Sequence, residues 1–131
     1  MRWTYSCPRC HGTLNPENSV ILVAEHAGKS VLVGLNPEPG VYTMHTPGEV
    51  TIRPGSRWEL RCPLCRADLR SDLNEDLAHL DMICGGEPHR VYFSRVAGEQ
   101  ATFVLTAEGL LHDHGIHKDQ YIEDLVHKSF L

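Results

Sequence analysis

Two short stretches of this 131-residue chain carry its sharpest chemistry: Cys7-Pro8-Arg9-Cys10 and Cys62-Pro63-Leu64-Cys65. Both read C-P-x-C. Thiolates are soft ligands, and two C-x-x-C turns that face each other supply a tetrahedral four-sulfur shell. Proline presets φ at the first position inside each turn and so helps to aim both sulfurs at one point. Zinc suits such a set, because a d10 ion accepts a plain tetrahedron. The expected complement is one Zn2+ per chain, held by Cys7, Cys10, Cys62 and Cys65. Four thiolates leave no open coordination position, so the expected metal is structural and not catalytic. It would close the loop formed by residues 11–61, 51 in all, and couple metal binding to folding.

Other chemistries fit parts of the pattern. Iron with four cysteine ligands uses the same paired turns and passes one electron, which makes an electron carrier the redox alternative. Cys7-Pro8-Arg9-Cys10-His11 also spells the c-type haem attachment pattern, but that reading leaves Cys62 and Cys65 without a role. A thioredoxin-like dithiol requires a βαβ setting that neither turn has. His112-Asp113-His114-Gly115-Ile116-His117 offers a second metal site through His112, His114 and His117, set against a plain solvated loop. It is also the one place where an enzymatic centre could be sought. Cys84 is left over and reads as a small apolar strand residue, with no base legible beside it.

Arg53, Arg57, Arg61, Arg66 and Arg70 surround the second turn, and Arg9 lies inside the first. A zinc ion with four thiolates carries a net charge of −2, which gives nearby arginines a local electrostatic reason. The sharper reading is an anion or nucleic-acid patch in which Trp58 stacks on bases beside those arginines. Trp3, Tyr5 and Trp58 flank the turns and are expected to shield the sulfurs. The net charge of −5 works against strong non-specific nucleic-acid binding. It is unevenly spread: residues 1–70 carry eight Lys/Arg and six Asp/Glu, residues 71–131 four and eleven.

The remaining composition is that of an ordinary globular domain, with 41% apolar residues. No apolar run is long enough for a membrane span, and Met1–Ser6 lacks the apolar core of a signal peptide. The expected setting is the cytoplasm, where thiols stay reduced and paired C-x-x-C favours metal over disulfide.

The elements that must position the sulfurs are mostly strands. Val20–Ala24 and Val31–Leu35 are β-branched runs around the Ala27-Gly28-Lys29-Ser30 turn. A short strand is expected at Val41–Met44. Glu49–Arg53, the Pro54-Gly55-Ser56 turn and Arg57–Arg61 read as a hairpin that delivers the second cysteine turn. The link Arg70–Asp76 suits one helical turn. Leu77–Cys84, Arg90–Val96 and Ala101–Thr106 form a three-stranded meander. Ala107–His117 reads as loop. Residues 118–130 place Ile122, Leu125, Val126 and Phe130 at helical spacing, with acids in the first turn and Lys128 in the last. Cys7-Pro8-x-Cys10-x-x-x-Leu14 recurs as Cys62-Pro63-x-Cys65-x-x-x-Leu69, the sign of an internal duplication with halves 1–55 and 56–106.

The two cysteine turns, extended as Cys7-Pro8-Arg9-Cys10-His11-Gly12 and Cys62-Pro63-Leu64-Cys65-Arg66-Ala67, resemble the zinc knuckles of zinc-ribbon proteins. The resemblance implies the same four cysteine ligands, with each knuckle ending a strand or hairpin. It covers well under half of the chain. The interval between the knuckles is long for a ribbon, and Ala67 stands where a glycine is more usual. The second half, with Leu77–Cys84 and Val91-Tyr92-Phe93-Ser94-Arg95, resembles small, uncharacterised bacterial zinc-knuckle proteins, which imply no activity. The expectation is therefore one metal-stapled, mainly β (α+β) domain over 1–131: a zinc ribbon with antiparallel hairpins and a C-terminal amphipathic helix. It is non-enzymatic, acts in protein interaction or as a regulatory scaffold, and has nucleic acid as the alternative partner.

Overall fold

The computed structural model describes residues 3–46 and 52–130. Nine strands and one helix follow in order: β1 (Trp3–Ser6), β2 (Val20–His26), β3 (Lys29–Leu35), β4 (Met44–His45), β5 (Glu59–Arg61), β6 (Leu77–Cys84), β7 (Glu87–Ser94), β8 (Thr102–Leu105), β9 (Leu111–His114) and α1 (Asp119–Phe130). They build two antiparallel sheets, one ordered β1-β6-β7-β8-β9 and the other β4-β3-β2-β5. The mainly β expectation holds, with the single helix at the C-terminal end of the described chain.

Alternation along the strands sends one face of each sheet into a shared core. Leu22, Ala24, Val33 and Leu60 come from the four-stranded sheet, and Tyr5, Leu80, Met82 and Val91 from the five-stranded one. Cys7, Leu14, Cys62 and Leu69 join the same cluster, so the knuckles are built into the core. The outer face of the five-stranded sheet has its own cluster. There Leu77, Tyr92 and Phe103 receive Tyr121 and Leu125 of α1, with Phe103 edge-on to Tyr121. This seats the helix as its apolar spacing requires.

The two halves match in register. The β2–β3 hairpin turns at Ala27-Gly28 and the β6–β7 hairpin at Gly85-Gly86. Tyr5 pairs with Met82 as Leu60 pairs with Ala24, and Leu35 pairs with Met44 as Phe93 pairs with Thr102. β1 to β4 thus correspond to β5 to β8. The pairing is crossed: β1 joins the hairpin of the second half, and β5 joins the hairpin of the first.

Several local expectations are corrected. β5 does not pair with Ile52 or Arg53. Ile52 and Arg53 are not in a strand, the residues 49–51 lie outside the described chain, and β5 takes β2 as its partner. The Pro54-Gly55-Ser56 turn is instead tied to the next half through Gly55 N–H to Ala97 O (2.8 Å) and Ala97 N–H to Ser56 O (2.8 Å). The strand expected at Val41–Met44 shortens to Met44–His45. No helical turn forms in 70–76. Ser71 Oγ accepts from Leu73 N–H and Asn74 Oδ1 from Asp76 N–H, and such side-chain turns compete with helix. Part of the expected loop 107–117 is strand β9, which pairs along β8 from Leu105↔Leu111 to Thr102↔His114.

Gly115 is the joint between β9 and α1. Its φ is +102°, and a Cβ there would run into the Gln100 carbonyl. Gly115→Ala is expected to destabilise the fold by about 1–3 kcal/mol, from strain at a left-handed position. Urea unfolding at equal metal loading measures it.

His79 on β6 stacks on Tyr92 with ring centroids 5.0 Å apart, and its Nε2 lies 3.2 Å from Asp81 Oδ1. Burial holds its pKa below the usual histidine value, against the pull of Asp81. Below pH 6.5 the unfolded chain takes up a proton that the folded chain refuses, so this group costs stability as the pH falls. In an NMR titration, the imidazole of His79 is expected to titrate below 6.5. A midpoint at or above 6.5 would contradict the burial argument.

Candidate metal centre

Each knuckle starts where a strand ends: β1 runs into Cys7 and β5 into Cys62. The local hydrogen bonds are the same in both. Cys7 N–H donates to Gly12 O and Cys62 N–H to Ala67 O, both at 3.1 Å. His11 N–H donates to Cys7 O and Arg66 N–H to Cys62 O, both at 2.9 Å. Arg9 N–H and Leu64 N–H each point at the first sulfur of their own knuckle, at 3.3 Å. The left-handed residue is His11 (φ 63°) in one knuckle and Arg66 (φ 66°) in the other. Gly12 and Ala67 follow that position, and Gly12 is not among the positive-φ glycines. Ala67 therefore costs the second knuckle no backbone strain. Gly12 lies directly under Leu64 Cδ1 of the opposite knuckle, an exposed side chain that a Cβ at 12 would have to displace.

The four sulfurs converge. Cys7 Sγ lies 3.8 Å from Cys65 Sγ, and Cys10 Sγ lies 3.8 Å from Cys62 Sγ. All four ligand atoms lie within 4.8 Å of one another. A tetrahedron with metal–sulfur bonds of about 2.3 Å has sulfur–sulfur edges of about 3.8 Å. Two edges match that length and all four sulfurs lie close enough to hold a metal ion, zinc or iron alike. All five cysteines of the chain are unbridged. Cys7 and Cys62 are buried, whereas Cys10 and Cys65 face solvent. Burial pushes the Cys7 thiol up to about 12, and the Ala67 N–H lowers that of Cys65. A cation among the sulfurs would reverse the penalty on ionising Cys7.

The flanking residues divide. Arg9 lines a shallow recess with Cys10, Cys65, Ala67 and Asp68, beside the thiolates it was expected to balance. Arg57 pairs with Asp76 at 2.8 Å, and Arg61 with Glu59 at 3.1 Å and Glu25 at 3.3 Å. Arg53, Arg66 and Arg70 are exposed. Trp58 is buried, 6% exposed, with its ring against His26 and its Nε1–H donating to Ser56 Oγ at 2.9 Å. The expected arginine–tryptophan patch is therefore not one surface, because its aromatic faces the interior. Trp3 is half-buried against the core, and Tyr5 is buried with its hydroxyl donating to Pro37 O at 2.7 Å. Cys84 is half-buried at the end of β6, opposite Trp3.

The histidine site does not assemble. His112 and His114 lie on β9, but His117 turns back so that its Nδ1 accepts from Gln100 N–H at 3.0 Å. Among the described residues, the four cysteines are the one group of three or more His, Cys, Asp or Glu placed to hold a metal. Sequence reasoning missed Asn15. This buried residue accepts from Tyr5 N–H and donates to Trp3 O, both at 2.7 Å, and so caps the free edge of β1 just before the first knuckle. Its position after Leu14 was the only signal.

No helix among the described residues is long and apolar enough to cross a membrane. Neither a family model, nor a curated protein, nor a solved structure matches the chain.

Two outcomes test the centre. Cys62→Ser is expected to lower the metal content from one per chain to near zero and to unfold the domain under conditions where the native chain is folded, as read by elemental analysis and circular dichroism. His114→Ala is expected to leave the metal content unchanged, and loss of a second equivalent would restore the histidine site.

Proposed function

We propose that the protein is a non-enzymatic scaffold stapled by one structural zinc ion, and that it works by presenting its surface to a protein partner. One observation carries the reading: both halves give two sulfurs to a single closed four-sulfur shell. Such a shell fixes the two halves to each other and offers no position to a substrate. The knuckle tips support a partner role. Leu64 is 63% exposed there, next to Gly12 of the other knuckle. The reducing cytoplasm is the setting in which the thiolates stay available to metal. The matched registers support an internal duplication, with the knuckle strand, knuckle, hairpin and third strand as the repeated unit and β9 and α1 as additions to the second copy.

A rubredoxin-like iron carrier is the second reading, supported by the exposure of Cys10 and Cys65, which would bring an iron centre close to a docked redox partner. Nucleic-acid binding would have to use Arg53, Arg66 and Arg70 without Trp58. Oligonucleotide affinity that falls steeply with salt would support that role, and no binding at low salt would remove it.

Elemental analysis and a visible spectrum of protein purified without added metal separate the first two. One zinc per chain in a colourless protein is the expected result. Iron with thiolate charge-transfer bands would replace the scaffold by the electron carrier.

A further inference from the structure

Between the inner faces of the two sheets lies a cavity of about 270 Å³. Val20, Val33 and Leu60 line it from one sheet, and Leu80, Val91 and Phe93 from the other. The rings of Tyr5 and Trp58 complete the apolar wall. The cavity is partly open to solvent, so a small molecule can reach its apolar wall.

Several of the polar groups around the cavity already have partners. Tyr5 and Trp58 direct their hydrogen-bonding ends to Pro37 O and Ser56 Oγ. The other polar lining comes from segments 36–43 and 94–102. There the hydroxyls of Tyr42 and Thr102 bond each other at 3.0 Å, and Ser94 Oγ donates to Glu99 Oε1 at 2.7 Å. Arg95 gives its Nη1–H to the Trp58 carbonyl at 3.3 Å and its Nε–H to the Glu75 carbonyl. Two of its nitrogens thus donate to backbone oxygens. Of the charged lining residues, Glu38 and Glu99 outnumber Arg95 two to one, a net charge of −1 that disfavours an anion.

We propose that this cavity is a binding site for a small, uncharged aromatic molecule. Apolar walls supply the affinity, the aromatic side chains Tyr5, Tyr42, Trp58 and Phe93 favour a flat ring, and the net negative lining disfavours acids. The site lies apart from the sulfurs and does not depend on which metal they hold.

The test uses the full chain loaded with metal and two fluorophores with the same rings. N-phenyl-1-naphthylamine is neutral, and 1-anilinonaphthalene-8-sulfonate adds one negative charge. Saturable binding of the neutral probe is expected, at least about tenfold tighter than that of the sulfonate. Ala24→Leu and Val33→Phe narrow the cavity from one sheet, and each is expected to weaken the neutral probe by about tenfold or more at unchanged metal content. Should either variant fail to fold, intermolecular NMR contacts between the neutral probe and the Leu60 and Val91 methyl groups of the unaltered protein decide the matter. No saturable binding, equal affinity for the two probes, full affinity in a folded filled variant, or absence of those contacts would overturn the proposal.

Discussion

The convergence of four thiol groups at one point is the constraint on which the rest of this structure depends. Each knuckle is held by its own backbone: a left-handed residue after the second cysteine, and amide hydrogens directed at the first sulfur. Neither knuckle alone makes a site. The two must approach until their sulfurs stand 3.8 Å apart, with leucine from one tip resting over glycine of the other. Thiolates that close repel strongly without a cation, and Cys7 is buried where ionisation is already costly. A metal ion held there would turn these local penalties into a bond between two parts of the chain far apart in sequence.

The sheets serve the same constraint. β1 and β5 deliver the cysteines, and each is anchored on the hairpin of the other half. A metal held by the four sulfurs would therefore act in the same direction as the strand pairing, joining the two parts of the chain a second time. The asymmetry lies outside the strands whose pairings match. β9 and α1 occur once, and they cover the outer face of one sheet only.

The knuckles were fully legible in the sequence, because ligand type, spacing and proline are local facts. So were β2 and β3, whose β-branched runs bracket a glycine turn, β6 and β7, whose apolar residues flank the Gly85-Gly86 turn, and the helix, whose apolar residues recur at helical spacing. The partner of β5 was not legible. A three-residue strand carries too little pattern to choose between neighbours, and the Pro54-Gly55 turn pointed to a local hairpin. β9 was missed because Leu-His-Asp-His has little strand propensity, and it is strand because β8 offers it a ladder. Trp58 was misplaced for another reason. Proximity in sequence to arginines suggested a surface, while its alternation with Leu60 placed both on the inner face.

The crossed pairing of β1 and β5 also sets a schedule. β1 has no strand partner until β6, ending at Cys84, has been made, although its own cysteines are among the first residues of the chain. The first hairpin likewise waits for β5 before its second edge is covered. On a ribosome, the early half would leave the exit tunnel with an open strand edge and only two of its four ligands. Contacts that span so much sequence are slow to close. The protein is thus expected to complete its fold late and at once, rather than half by half, with the second knuckle supplying the missing ligands and β6 the missing strand.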